Sequence, residues 1–147
     1  MNTQINDFIK NQESAKYATN AGLLMHAKLQ TVFLGAHPVG DAELISKINS
    51  SAPELQMFFS DKSKTEVPLA GFINGHFISR RIDRLLVNDV DKTIHVLDYK
   101  TDLDSNKFRQ KYIAQIHEYM ELLAQIYPKY KISGCILWLH DWRLESV

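Results

Sequence analysis

The chain has almost nothing with which to brace itself covalently. Its 147 residues include a single cysteine, Cys135, so no disulfide can form within the chain. Nor can it assemble a four-cysteine iron–sulfur cluster by itself. Cys135 sits in an apolar, strand-like run at 132–139 and reads as a small buried residue. A reducing, cytoplasmic setting is the expectation. Charge of one sign is also missing: 17 Lys and Arg balance 17 Asp and Glu. A stand-alone DNA binder usually carries positive excess, because neutralising phosphates drives its affinity. Weak affinity for DNA in isolation is therefore expected, with a strand delivered by a partner or by other domains. No apolar run approaches the roughly 20 residues that cross a bilayer, and the first residues, Met1-Asn2-Thr3-Gln4-Ile5-Asn6, are polar and unlike a signal peptide. No Gly-X-X-X-X-Gly-Lys-Ser/Thr loop is present to mark a nucleotide-driven motor. Aromatics are spread along the chain without a basic–aromatic repeat for stacking single strands, and no internal repeat or low-complexity tract occurs.

What is present reads as one α/β domain, since the length suffices for a real core. Residues 1–20 are polar with scattered apolar positions, a helix or tether preceding a core at 21–147. A helix is expected over 21–35, ending near Gly35. Asp41 is placed to cap a helix over about 42–50, and Pro53 to start a short one over 53–60. Strands are expected at about 66–73, 76–87 and 93–100, with Asn74-Gly75 as a hairpin turn between the first two. A long helix, about 107–126, turns Phe108, Tyr112, Ile116, Met120 and Leu123 to one side. Strands at 131–139 and 142–146 complete the order.

The chemistry concentrates in two of those strands, in Ile82-Asp83-Arg84 and in Val96-Leu97-Asp98-Tyr99-Lys100-Thr101. Both aspartates interrupt apolar runs, where a charge is out of pattern. If Asn88–Lys92 closes the hairpin symmetrically about residues 90 and 91, Asp83 falls opposite Asp98, with Cβ atoms roughly 5 Å apart. Lys100 emerges two residues on, from the same face. Two carboxylates so close repel one another, and one should carry a raised pKa unless a cation lies between them. A hard divalent ion held by one or two carboxylates and the phosphate of a substrate satisfies that need. It would lower the pKa of a bound water and polarise a phosphoryl oxygen, with Lys100 adding positive charge where negative charge develops. Asp-X-Lys by itself is common and usually marks a solvated strand end.

Four pieces in order resemble the nuclease domain of the RecB/AddAB helicase–nuclease group, within the PD-(D/E)XK phosphodiesterases. Gly22-Leu23-Leu24-Met25-His26 is similar to that group's Gly-X-X-X-His helix. Arg80-Arg81-Ile82-Asp83-Arg84-Leu85 resembles its Gly-Arg-Ile-Asp-Arg-Leu strand, with Arg80 where a glycine often stands. Val96–Asp102 resembles its Val-Ile-Asp-Tyr-Lys-Thr strand, and Gln115-Ile116-His117-Glu118-Tyr119 its Gln-X-X-X-Tyr helix. The resemblance implies a restriction-endonuclease-like fold, a central mixed β-sheet flanked by helices, with which the expected order of elements agrees. It implies that His26, Asp83 and Asp98 bind magnesium or manganese and that Lys100 is the catalytic lysine. Gln115 and Tyr119 would lie near the site, and Glu66 resembles a family glutamate before the first core strand. It further implies exonuclease action on DNA in recombination or repair, coupled to a helicase domain or subunit. The chain could be the C-terminal end of such a helicase or a free-standing nuclease.

From the residues alone, His26 shares a helical face with Leu29, Gln30 and Phe33 and points inward, where a histidine is more often core than ligand. Tyr119 reads as core and Gln115 as a rim residue, four apart on one face. Arg80, Arg81 and Arg84 beside Asp83, with Lys107, Arg109 and Lys111 at the start of the long helix, read either as a DNA-contacting rim or as ordinary solvated charge. Cations at a helix start oppose its dipole, which leans toward the rim. Two further readings stand beside catalysis: a non-catalytic module that docks or guides DNA in a helicase complex, and a site-specific endonuclease, for which the chain looks too compact.

Overall fold

The computed structural model describes residues 20–102 and 105–147. The helix or tether expected over 1–20 lies almost wholly outside them. Residues 20–29 form α1, followed by α2 (Ala42–Asn49), α3 (Pro53–Gln56), a 3-10 turn (Met57–Phe59), β1 (Lys64–Ile73), β2 (His76–Asn88), β3 (Thr93–Lys100), α4 (Ser105–Ile126), β4 (Lys131–Trp138) and β5 (Arg143–Ser146). The strands form one mixed sheet in the order β1-β2-β3-β4-β5. Only β3 and β4 run parallel, and α4 is the crossover that parallel neighbours require.

Local chemistry sets most of the boundaries. The Asp41 carboxylate accepts the Leu44 N–H at 3.0 Å and starts α2. Asn74 and Gly75 both have positive φ, 50° and 77°, which turns β1 into β2 with the twist that tight hairpins need. At the next turn Asn88 Oδ1 accepts the N–H groups of Val90 and Asp91, which fixes the β2–β3 register.

The sheet buries both faces. One packs Leu69, Ile82, Leu85, Ile94, Val96, Ile136 and Trp138 against Ile116, Tyr119, Leu122 and Leu123 of α4. The other packs Leu97, Tyr99 and Leu137 against Leu29, Val32, Leu44, Ile48, Leu55, Phe58 and Phe59. Each fully buried aliphatic side chain contributes about 1.5–3 kcal/mol. Two expectations need correction. Phe108 does not join the buried stripe of α4 and is 36% exposed, because the first turns of the helix run past the sheet. The first helix stops at residue 29, not near 35, because the chain turns and Phe33 pairs with Val39 across a short loop. Among the described residues no helix is long and apolar enough to cross a membrane.

Candidate active site

The β2–β3 register is the one the turn predicts. Pairing runs from Asn88↔Thr93 to Arg84↔Leu97 and stops there. The next two residues are Asp83 and Asp98. At that point the Asp83 carboxylate replaces the main chain, accepting the Tyr99 N–H at 2.8 Å. The alternation of β2 also breaks here, since Ile82 packs on the α4 side while Arg84 lies in the opposite layer. Level with Asp83 on β1, between Thr65↔Arg84 and Val67↔Ile82, Glu66 has a φ of 52°. A non-glycine residue in that region costs on the order of 1 kcal/mol or more. Three carboxylates thus occupy one level on three adjacent strands, and the backbone is distorted at that level.

Asp98 is 3% exposed. Lys100 Nζ stands 2.7 Å from its Oδ2 as an ion-pair partner, and among the described residues this buried oxygen has no hydrogen bond. The same ammonium donates to Gln115 Oε1 at 2.9 Å and lies 4.3 Å from the ring centre of Tyr112. Tyr112 in turn donates its hydroxyl to Asp102 at 2.5 Å. These groups line a cleft of about 400 Å³ with His26, Arg81, Asp83, Thr101 and Tyr119. Burial, then the Asp98 carboxylate, pushes Asp83 up to about 8. Burial likewise raises Tyr119 beyond the ordinary phenol range, with Asp98 and Asp83 adding to it.

His26 comes to this point from α1. Its Nδ1 lies 3.8 Å from Asp83 Oδ1, and its ring meets Tyr99 edge-to-face at 5.4 Å. Burial lowers its pKa, which favours the neutral ring that can act as a ligand. Gly22 explains how α1 comes so close. A Cβ there would stand 2.9 Å from Thr101 Oγ1, so the glycine one turn before His26 lets the helix rest on the end of β3. A second cleft, of about 470 Å³, opens between α1 and the strands and is lined by Gly22, His26, Glu66 and Asp83.

Arg84 is the main correction to the sequence reading. It does not face DNA: it is 0% exposed and organises the layer beneath the site. Its guanidinium donates to Tyr99 Oη (2.8 Å), Phe58 O (3.0 Å), Ser63 Oγ (2.9 Å), Leu29 O (2.8 Å) and Val32 O. It also lies against the rings of Phe33 and Phe59, at 4.8 and 4.2 Å. These acceptors are neutral; one, Leu29 O, is the last carbonyl of α1, where the helix dipole is negative, and Val32 O lies just beyond it. Arg84 therefore ties the helix carrying His26 to the strand carrying Asp98.

The other basic residues divide. Arg81 lines the cleft and pairs with Glu66 at 3.5 Å. Arg80 pairs with Glu118 at 3.1 Å, and with Lys111 it lines an adjoining cleft that shares Lys100 and Gln115. Arg109 is turned away to Glu145, at 2.5 Å, and Lys107 lies beside the Phe108 ring; neither lines the cleft. Cys135 is half-buried rather than fully enclosed.

As the side chains stand, no group of three or more His, Cys, Asp or Glu residues among those described is gathered closely enough to hold an ion. The donor set nonetheless fits a hard cation: two adjacent carboxylates, one with an oxygen lacking a hydrogen bond, and a neutral imidazole on the rim. No protein-family model and no curated protein matches this chain.

Proposed function

We propose that this chain is a divalent-metal-dependent deoxyribonuclease, a RecB/AddAB-like domain on a PD-(D/E)XK core, which acts as an exonuclease alongside a helicase domain or subunit. The observation that carries the reading is the meeting of Asp83, Asp98 and Lys100 at the broken end of the β2–β3 ladder. It is supported by the order of the four motifs and by the approach of His26 to Asp83.

In this reading Asp83, Asp98 and His26 hold magnesium or manganese. When bound, the ion supplies a polarised phosphoryl oxygen and a more acidic water. Lys100 neutralises charge as it develops on the phosphate, and Gln115 and the Tyr112 ring keep its ammonium aimed into the cleft. Tyr119 closes the floor of the cleft, and Arg81 receives a flanking phosphate. The test is hydrolysis of single- and double-stranded DNA with magnesium or manganese, comparing wild type with Asp98→Ala and including a helicase partner where one is required. Equal inertness of the two proteins across all substrates sinks catalysis. The balanced charge of the chain favours, as the second reading, a non-catalytic module that guides DNA. Calorimetry that finds no divalent ion bound in wild type would point there.

A further inference from the structure

The sequence shows no aromatic–basic repeat, yet strand pairing builds one. Phe72 and Phe77 flank the Asn74-Gly75 turn and face each other across the hairpin, with ring centres 5.5 Å apart in an edge-to-face pair. They are 61% and 65% exposed, among the most exposed large apolar side chains described. Alternation places Pro68, Ala70 and Phe72 of β1 on the same face as Phe77, Ser79 and Arg81 of β2, and all six are exposed. The opposite face is the one that packs on α4, through Leu69, Ile82 and Gly71. The exposed face is thus a flat strip with two rings at one end and Arg81 at the other. Phe77 and Arg81 are four positions apart, about 13 Å of strand. Arg81 also lines the cleft that holds Asp83 and Asp98. From Val67 to Ile82 there is no Asp or Glu, in a chain with 17 of them, whereas Arg80 and Arg81 lie within it.

We propose that this hairpin face is a track for single-stranded nucleic acid leading into the carboxylate cleft. Unpaired bases stack on Phe72 and Phe77, and a following phosphate meets Arg81. The inference deepens the nuclease reading and rests on it for its direction. The chemistry favours a single strand over a duplex because the rings can stack only on bases whose faces are open. It favours nucleic acid over a protein partner because the strip from Val67 to Ile82 has no acid, ends in Arg81, whose exposed pair with Glu66 a phosphate can displace, and runs into a site suited to phosphate.

The experiment is fluorescence anisotropy with a labelled oligothymidylate of about a dozen nucleotides, in EDTA so that no cleavage occurs, on wild type, Phe72→Ala/Phe77→Ala and Phe77→Tyr. Both positions are on the surface, so unchanged melting curves will confirm that the variants fold. The double variant should bind roughly tenfold more weakly or worse, and Phe77→Tyr should bind as wild type does. Arg81→Gln should lower the salt dependence by about one phosphate contact. Hydrolysis of bis(p-nitrophenyl) phosphate with manganese, which needs no track, should be unchanged in the double variant. An oligonucleotide affinity unaltered by loss of both rings overturns the proposal, as does a duplex that binds as tightly with the same sensitivity. If wild type cleaves neither the small diester nor DNA, a helicase partner included, while the double variant still loses oligonucleotide affinity, the track stands and the nuclease reading falls.

Discussion

The two ends of the β2–β3 ribbon are built by opposite rules. Near the turn, from Arg84↔Leu97 to Asn88↔Thr93, main-chain pairing is regular, Leu85, Ile94 and Val96 are buried, and Asn88 closes the turn with its own side chain. One pair further, the ladder stops and a carboxylate takes over a main-chain bond. A glutamate is held at positive φ, and a buried oxygen lacks a hydrogen bond. The first end lowers the free energy of the fold. The second raises it, and that excess is concentrated where the candidate chemistry is. Removing a crowded carboxylate or relieving the strained backbone at the second end should therefore raise stability, whereas loss of a group that holds the first should lower it.

Arg84 joins the two ends, and its loss should have the largest effect. Arg84→Met keeps much of the volume but leaves the Tyr99 hydroxyl, the Ser63 hydroxyl and three carbonyls without their donor. Leaving a buried acceptor without its donor costs about 1–3 kcal/mol, so the loss of several at once should cost several kcal/mol, or roughly 10 °C in a domain of this size. Thermal melting followed by circular dichroism reads this out. A shift below about 2 °C would mean that the layer beneath the site does not depend on the guanidinium.

Lys100→Met should come next, with its main effect on rate. Among the described residues the ammonium is the one cation paired with Asp98, so hydrolysis with magnesium should fall about 10²-fold or more. The melting temperature should fall by a few degrees as well, because the buried Asp98 carboxylate loses its counter-charge, but the loss of rate should persist at temperatures where the variant is fully folded. A variant that loses stability but keeps its rate would reassign Lys100 to structure.

Much of this was legible from the residues. The turn at 88–92 predicted the register and thus the meeting of Asp83 with Asp98, because a short side-chain-closed turn leaves few alternatives. The resemblance, and not the spacing, brought Gln115 near the site, where it accepts from Lys100. The role of Arg84 was not legible. In sequence it is one of three arginines around Asp83, and only the break in alternation after Ile82 turns it from the surface into the opposite layer. Tyr99 was hidden for a related reason: its ring lies in the layer opposite α4, and its part in the site comes from its N–H bond to Asp83, its hydroxyl bond to Arg84 and its edge contact with His26. Gly22 sat in a matched motif, but its reason for being glycine lies in Thr101, far along the chain.

The pH dependence of the metal-free protein sharpens the comparison further. Asp83 titrates near 8 in the folded state, against 3.8 in the absence of the fold, for reasons of burial and of Asp98 beside it. The folded state thus holds this proton more tightly than the unfolded chain. The stability it contributes is whole below about pH 4 and is lost as pH rises through 8. In EDTA the melting temperature of wild type should therefore decline from pH 5 to pH 8.5. Asp83→Asn should lack that part of the decline and stand roughly 5 °C, about 2 kcal/mol, above wild type at the upper end. Magnesium should reduce the difference, because the ion competes for the same carboxylate as the proton. Parallel pH profiles for the two proteins would mean that Asp83 ionises at an ordinary pH.

The smallest effect is expected at Glu66. Glycine adopts a φ of 52° without the clash that a Cβ brings, so Glu66→Gly should relieve strain. Against this stands the Arg81 ion pair, with a separation of 3.5 Å and Arg81 69% exposed, which contributes little. The net expectation is a gain of up to about 1 kcal/mol, or 2–4 °C. If the carboxylate belongs to the site, the same substitution lowers hydrolysis while raising the melting temperature. Glu66→Gln separates the two causes, since it keeps the strained backbone and removes only the charge. A rate that falls in both variants, with stability gained only in the glycine variant, would show that the backbone at Glu66 is held out of its preferred region in order to present the carboxylate beside Asp83.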